Sequence, residues 1–163
     1  MSYSVYSTRG FVLGSAPSGE ASKTYSIYTE DFGLVRARAQ SVRTLASKLR
    51  YNLDDYSFGT FSLVRGKEFW RVTGAQSEPI FDKESAAARA RVLHLVRRLV
   101  HGEEPNPELF AILSRLSVKE IGEVDSVVAV LSALGYIDAA AAEGKTEREK
   151  IALVNASLRE THL

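Results

Sequence analysis

Apolar and polar side chains alternate through much of the first 80 residues, and this period of two is typical of β-strands with one buried face. The pattern predicts five strands separated by turn residues. The strands are Tyr3–Leu13, Lys23–Thr29, Leu34–Gln40, Ser57–Arg65 and Glu68–Thr73. The turns contain Pro17-Ser18-Gly19, Asp31-Phe32-Gly33 and Gly66-Lys67, which are residue types that favour chain reversal.

Between the third and fourth strands the pattern changes to helical spacing, with Val42, Leu45, Ala46 and Leu49 three or four residues apart. This predicts a short helix whose Val42, Leu45 and Leu49 face inward. The resulting element order is that of an OB-fold, a small Greek-key barrel that binds oligonucleotides and oligosaccharides. An SH3-like or other small barrel is left open as the alternative, because element order does not fix topology.

In the second half, apolar residues recur every three or four positions, as in amphipathic helices. Four helices are expected, and none is apolar all round, so they should pack as a small bundle. They run from about Asp82 to Val100, from Asn106-Pro107-Glu108, from a capping box at Ser117-Val118-Lys119-Glu120 to Gly135, and from a capping box at Thr146-Glu147-Arg148-Glu149.

Aromatic content separates the two halves. Twelve of the fifteen aromatic residues lie at or before Trp70, whereas Ala, Leu and Val dominate afterwards. The expected fold class is therefore α+β with the β part first. We expect a five-stranded OB-fold barrel at residues 1–78 and a helical domain at residues 79–163.

Charge is unevenly distributed between these halves. Residues 1–80 contain ten Lys and Arg against seven Asp and Glu, whereas residues 81–163 contain eleven against thirteen. The start, Met1 to Tyr6, lacks the features of a secretory signal, and no apolar run approaches the roughly 20 residues that span a bilayer. A cytoplasmic protein without a membrane partner is expected.

Motifs for catalysis or metal binding are not found. There is no cysteine, which excludes disulfides and thiolate metal sites, and His94 and His101 have no carboxylate at ligand spacing between them. Gly66-Lys67 superficially resembles a phosphate-binding loop, but Phe61 replaces the leading glycine and Glu68 the hydroxyl residue. We therefore expect no enzyme, no metal and no cofactor.

The most distinctive feature is a basic segment between Val35 and Arg50 that contains five cationic residues and no acidic one. The five are Arg36, Arg38, Arg43, Lys48 and Arg50. Strand alternation places the first two on the outer face of the third strand, and helical spacing places the others on or beside the outer face of the short helix. Such a one-sided cationic surface indicates a polyanion partner, most naturally a nucleic acid.

Tyr28, on the preceding strand, is out of phase with the inward Tyr25 and Ile27. Its ring is therefore expected to stack on an unpaired base, an interaction of about 1–3 kcal/mol. Phe69 and Trp70 are assigned to core or edge packing. The alternative for the whole basic surface is a solvated charged face that binds nothing.

A second basic stripe lies on the first helix of the later half. Its members recur at intervals of three and four residues; they are Arg91, His94, Arg98 and His101. Beside an apolar bundle, such a stripe is suited to an acidic, hydrophobic peptide. The alternative is again the solvated face of a bundle helix.

The segments Gly19–Lys23 and Tyr25–Ala39 resemble the N-terminal domain of the bacterial recombination mediator RecO. So do Val42-Arg43, Ser47-Lys48-Leu49 and the segment Ser62–Ala75. The similarity covers residues 5–76 and continues more loosely to Leu131–Tyr136.

The resemblance implies an OB-fold joined to a helical domain that binds and anneals single-stranded DNA. It implies cooperation with RecR in loading the recombinase RecA onto DNA coated with single-stranded-DNA-binding protein. At matching positions, Arg36, Arg38, Arg43, Lys48 and Arg50 become contacts to the DNA backbone. Family members bind the acidic tail of single-stranded-DNA-binding protein through the helical domain, for which Arg91 and Arg98 are the candidates here.

The chain departs from the family in one segment. Many members carry a four-cysteine zinc element where this chain has Asp138 to Gly144 and no cysteine. The resemblance therefore implies a reduced form without zinc, for which RecR is a weaker expectation as a partner. We expect a bacterial, nucleoid-associated DNA repair mediator, and the alternative is a protein-interaction adaptor in which the barrel is only a scaffold.

Overall fold

The computed structural model describes residues 3–45, 47–79 and 83–161. In these residues five strands are followed by four α-helices, and two 3₁₀ turns lie at Arg50–Asn52 and Ala139–Ala142. The strands are β1 (Val5–Pro17), β2 (Lys23–Thr29), β3 (Gly33–Ala39), β4 (Phe58–Arg65) and β5 (Trp70–Ser77). The helices are α1 (Lys83–Leu99), α2 (Pro107–Ser117), α3 (Glu123–Ala133) and α4 (Glu147–Glu160).

The strands form a closed barrel in the order β1-β2-β3-β5-β4. All neighbouring strands are antiparallel except β3 and β5, which pair in parallel through Ala37 with Trp70 and Arg38 with Arg71. This confirms the predicted β-then-α architecture with an OB-like barrel. The parallel pair brings β5 beside the strand that carries the first two candidate arginines.

The barrel core follows from strand alternation. Val35, Ala37 and Ala39 on β3 are fully buried, and Ile27 and Phe61 join them from neighbouring strands. Removing a large apolar side chain from water stabilises the fold by about 1.5–3 kcal/mol. This inward set obliges the residues between them on β3 to point outward.

The helix predicted from Val42 to Leu49 does not form in the described residues; the segment ends in a 3₁₀ turn at Arg50–Asn52, and of the residues predicted to face inward Val42 and Leu49 do so. Ser41 has a left-handed φ of 54°, and the Thr44 hydroxyl donates to the Ser41 carbonyl at 2.7 Å. Backbone bonds here span three residues, as from Thr44 to Ser41 and from Ser47 to Thr44, so the segment is a series of turns. Leu45 is 83% exposed instead of facing inward, and Ala46 lies outside the described residues.

The N-terminal cap predicted for α2 is confirmed, because the Asn106 side chain accepts from the Leu109 backbone N–H at 3.0 Å. The capping box predicted at Ser117 is wrong. Ser117 is the last residue of α2, and its hydroxyl donates to the Leu113 carbonyl. Lys119, with a φ of 60°, ends the helix, and the α3 helix begins at Glu123.

The ends of α3 and α4 agree with the sequence. Gly135 follows α3 with a φ of 80°, as a left-handed C-terminal cap requires. At the start of α4, the Thr146 hydroxyl accepts from the Glu149 N–H and the Glu149 carboxylate accepts from the Thr146 N–H. The predicted capping box there is confirmed.

The chain divides into two compact units. The first contains the described residues up to 79 together with Leu99–Pro105, and the second contains Lys83–Arg98 and the described residues from Asn106 onward. In the first unit the Leu34 N–H donates to the Gly102 carbonyl at 3.1 Å, and a side chain at Gly33 would overlap the Glu104 backbone. The assignment of 1–78 and 79–163 to separate functions stays a prediction. Within the described residues, no helix is long and apolar enough to cross a membrane.

Candidate nucleic-acid interface

The outer face of β2 and β3 carries the first two candidate arginines. Arg36 is exposed opposite Ser26, and Arg38 is half-buried opposite Thr24. On the other side of Arg38 lies Arg71 of β5. The Arg71 guanidinium lies 5.4 Å from the Tyr3 ring centroid. Arg36 and Arg38 therefore lie on the face of strands two and three, which binds oligonucleotides in OB-folds.

A cleft of about 300 Å³ opens on this face. Its lining comes from both strands and from two turns, the β1–β2 turn (Ser18–Ser22) and the β4–β5 turn (Gly66–Phe69). The lining residues are Ser18, Thr24, Arg36, Arg38, Glu68 and Phe69. These two turns correspond to the loops that flank the ligand in OB-folds. We refer to this site as the β2–β3 cleft.

Arg38 is held in a defined position inside the β2–β3 cleft. Its Nη2 donates to the Ser18 carbonyl at 3.5 Å. Its Nε is buried and has no hydrogen-bond partner within the described part of the chain. A buried guanidinium N–H without an acceptor is costly. The planar guanidinium group as a whole binds carboxylates and phosphates through parallel N–H donors.

Arg43 reaches the same turn from the connection after β3. Its Nη1 donates to the Gly19 carbonyl at 3.2 Å, and its backbone N–H donates to the Ala21 carbonyl at 3.1 Å. Val42, immediately before it, is buried in the barrel core. Arg38 and Arg43 therefore bind adjacent carbonyls of the β1–β2 turn, so the structure brings these two candidates together.

Lys48 and Arg50 lie at a different place, on the connection from β3 to β4. Leu49 between them packs against the core, and both cations are exposed. The Asn52 side chain donates to the Lys48 carbonyl at 3.3 Å and accepts from the Ser77 N–H at 3.0 Å. This fixes the two cations near the end of β5 instead of among the residues that line the cleft.

In the described part of the chain, none of the five candidate cations is paired with a carboxylate. Other arginines of the barrel are paired: Arg9 with Glu30 at 3.1 Å and Arg65 with Glu103 at 3.3 Å. Guanidinium and ammonium groups that no carboxylate neutralises keep their positive charge for phosphates.

The expectation for Tyr28 is wrong, because its side chain is fully buried and offers no ring to a base. Strand alternation predicts an exposed ring for Tyr28. However, β1 and β2 are buried on both faces around Phe11 and Tyr28, which pair across the two strands.

Phe69 is the aromatic residue that sequence reasoning missed. It is 40% exposed and lines the cleft. The sequence pattern places Phe69 inside the predicted fifth strand, Glu68–Thr73, whereas β5 begins only at Trp70.

The β4–β5 turn positions Phe69 through a close backbone approach. The Gly66 N–H donates to the Phe69 carbonyl at 3.1 Å, and a side chain at Gly66 would overlap that carbonyl oxygen. Glu68, also in this turn, brings one carboxylate into an otherwise cationic cleft.

Tyr25, on the inner face of β2, is a core residue. Burial raises the pKa of its hydroxyl to about 12, and the nearby Asp55 and Asp54 raise it further.

Comparison with known proteins assigns this barrel to a family. Residues 1–80 match the family described as "Recombination protein O N terminal". Through these residues the chain belongs to the RecO family.

Curated relatives named DNA repair protein RecO extend the similarity beyond the barrel. The protein from Rubrobacter xylanophilus is 34% identical over 128 residues, which are 73% of this chain and 50% of the relative. The protein from Dehalococcoides mccartyi is 32% identical over 113 residues, 66% of this chain and 45% of the relative. This RecO-family chain therefore spans about half the length of the curated relatives that it matches.

The two candidate arginines of α1, Arg91 and Arg98, differ in whether they form an ion pair. Arg91 of α1 forms a two-pronged ion pair with Glu123, with Nε–Oε1 and Nη2–Oε2 distances of 2.6 and 2.7 Å. The hydrogen bond from Arg91 lowers the pKa of the Glu123 carboxyl. Arg98, seven residues further along the same face of α1, is exposed. Of the two arginines in this RecO-family chain, Arg98 has no ion pair within the described residues, whereas Arg91 is paired with Glu123.

In the segment Asp138 to Gly144, Ala139–Ala142 forms a short 3₁₀ turn capped by the Asp138 side chain. Among the described residues, no group of three or more histidines and carboxylates could hold a metal ion. This segment of the RecO-family chain is held by backbone and capping hydrogen bonds.

Proposed function

We propose that this chain binds single-stranded DNA in the β2–β3 cleft and acts as a mediator of DNA repair and recombination. The observation that supports this most strongly is the coincidence of unpaired arginines with the OB ligand face and its two flanking turns. Membership of the RecO family supports the repair role, since the relatives are named DNA repair proteins.

Two kinds of contact bind the strand, one to its phosphates and one to its bases. Arg36, Arg38 and Arg43 neutralise successive phosphates, which gives salt-dependent affinity without sequence information. Phe69 offers a partly exposed ring at the other side of the cleft, and stacking on such a ring contributes about 1–3 kcal/mol per base. Lys48 and Arg50 extend the cationic surface towards the end of β5.

Strand annealing is part of this proposal. Contacts to phosphates leave most base edges free, so a complementary strand can pair while the first is still bound. Binding of the acidic tail of single-stranded-DNA-binding protein, cooperation with RecR and loading of the recombinase are carried over from the family resemblance. For the tail, Arg98 is the first candidate and Arg91 the second, because of the ion pair of Arg91 with Glu123.

Fluorescence anisotropy with a labelled oligonucleotide tests the DNA-binding proposal. The full chain is titrated from low to high salt, and the R36A/R38A/R43A variant is compared with it. Each lost phosphate contact should reduce the slope of log affinity against log salt by about 0.7, so we expect a decrease of about 2 together with weaker binding.

The matched control removes three exposed cations from the helical half, as K145A/R148A/R159A. Its salt slope should equal that of the wild type. Equal losses in both variants would show that only net charge matters, and unchanged binding in R36A/R38A/R43A would contradict the site. Negligible DNA binding by the wild type, with tight binding of an acidic peptide that R98A abolishes, would favour the adaptor function instead.

A further inference from the structure

We infer that the β2–β3 cleft holds one base of the bound strand and discriminates bases by the amino group on the pairing edge. The strand would therefore bind better with cytosine than with thymine at this position. The inference rests on the proposed function and adds a chemical preference to it.

Glu68 carries the first step of the argument. It lines the cleft together with Arg36 and Arg38, yet it forms no ion pair with them within the described residues. A carboxylate repels a phosphate group, so the sugar-phosphate chain should pass on the arginine side. The space beside Glu68 is then left for a group that is not negatively charged.

Phe69 indicates that this group is a base. Its ring is 40% exposed in the same cleft, directly after Glu68 in the chain. The cleft volume of about 300 Å³ lies at the lower end of small-molecule sites and suits one nucleotide better than an extended stack. A base lying on the Phe69 ring would bring its edge towards the neighbouring side chain.

The turn keeps Glu68 and Phe69 in this arrangement. The hydrogen bond from the Gly66 N–H to the Phe69 carbonyl closes the turn at 3.1 Å. Trp70, which follows, is fixed in the barrel core with only 2% of its surface exposed. The two cleft residues are thus anchored on both sides, as a selective contact requires.

The chemistry of the base edge gives the direction of the preference. A carboxylate accepts hydrogen bonds only, and the cytosine N4 amino group is the donor that Glu recognises in nucleic acids. Thymine places a carbonyl oxygen at the equivalent position, which repels the carboxylate. We expect an affinity difference of about fivefold for one such contact.

The test compares two oligonucleotides whose bases have the same shape. A 12-mer of thymidine and a 12-mer of 5-methyldeoxycytidine both carry the 5-methyl group and differ on the pairing edge. Anisotropy titrations at pH 7.5 should show that the full-length wild-type chain prefers the 5-methyldeoxycytidine strand. The E68Q variant keeps the side-chain size, but its amide can both donate and accept, so the two strands should bind it equally.

The control variant E78Q removes one exposed carboxylate of the barrel unit outside the cleft, and it should keep the wild-type preference. Equal binding of both strands to the wild type, or a preference that persists in E68Q, would overturn the inference while the proposed function stands. Binding of neither strand would overturn both. If E68Q binds both strands more tightly by the same factor, Glu68 only repels phosphate and does not read a base.

Discussion

At the scale of single residues, Arg38 is the position where sequence, structure and proposed function meet most closely. Strand alternation places it on the outer face, and its Nη2 is held by the Ser18 carbonyl. The buried Nε without a partner is the costly part of the arrangement. A planar guanidinium presents parallel N–H donors to a phosphate, so Arg38 should contribute geometry as well as charge.

The R38K variant separates geometry from charge. Lysine keeps the positive charge but lacks the planar set of donors, so single-stranded DNA affinity should fall about threefold to tenfold. Anisotropy titration at fixed salt measures this. R50K, at an exposed position outside the cleft, should change affinity less than twofold. Equal effects of the two variants would contradict a special role for Arg38.

At the scale of elements, the segment Leu99–Pro105 belongs with the barrel although it follows a helix of the other unit. Glu103 holds it there: its carboxylate accepts from the Trp70 indole N–H at 3.0 Å and from Arg65 at 3.3 Å. The Arg65 guanidinium also lies 5.3 Å from the Trp70 ring centroid. The Glu103 carboxylate thus joins the segment Leu99–Pro105 to the end of β4 at Arg65 and to the start of β5 at Trp70.

The E103A variant should destabilise the barrel by about 1 kcal/mol, because it leaves the buried Trp70 N–H without its acceptor. E103Q keeps an acceptor oxygen and should lie close to the wild type. Trp70 is the only tryptophan, so its fluorescence during urea unfolding measures the effect directly. An E103A midpoint equal to that of the wild type would show that the Glu103 contact does not stabilise the fold.

The helical unit should lose stability in acid. Hydrogen bonds from Arg91 lower the pKa of Glu123, and those from the Thr146 backbone and hydroxyl lower the pKa of Glu149, both from an ordinary 4.5. Because the unfolded chain binds these protons first, the stabilisation is complete above about pH 4.5 and is lost as the pH falls through the lower folded values. Thermal unfolding followed by circular dichroism from pH 7 to pH 3 measures this. The E123Q/E149Q variant should show a shallower decline, and a decline as steep as that of the wild type would contradict the assignment.

At the scale of the whole molecule, local patterns were predictable and contacts between distant segments were not. The bounds of β2 and the Thr146 capping box follow from neighbouring residues alone. The prediction that Leu45 faces inward is wrong because its spacing suits a helix, whereas the backbone hydrogen bonds of its segment span three residues, as in turns. Phe69 became a site residue only because barrel closure brings its turn beside the β1–β2 turn, which no local pattern records.

The central claim is that single-stranded DNA lies in the β2–β3 cleft. Photo-crosslinking with an oligonucleotide that contains 5-iododeoxyuridine, followed by mass spectrometry of the full-length chain, tests it most directly. The account predicts adducts on Phe69 and on peptides that contain the β1–β2 turn or β3, with loss of the Phe69 adduct in F69L. Adducts confined to residues 106–161 would contradict it.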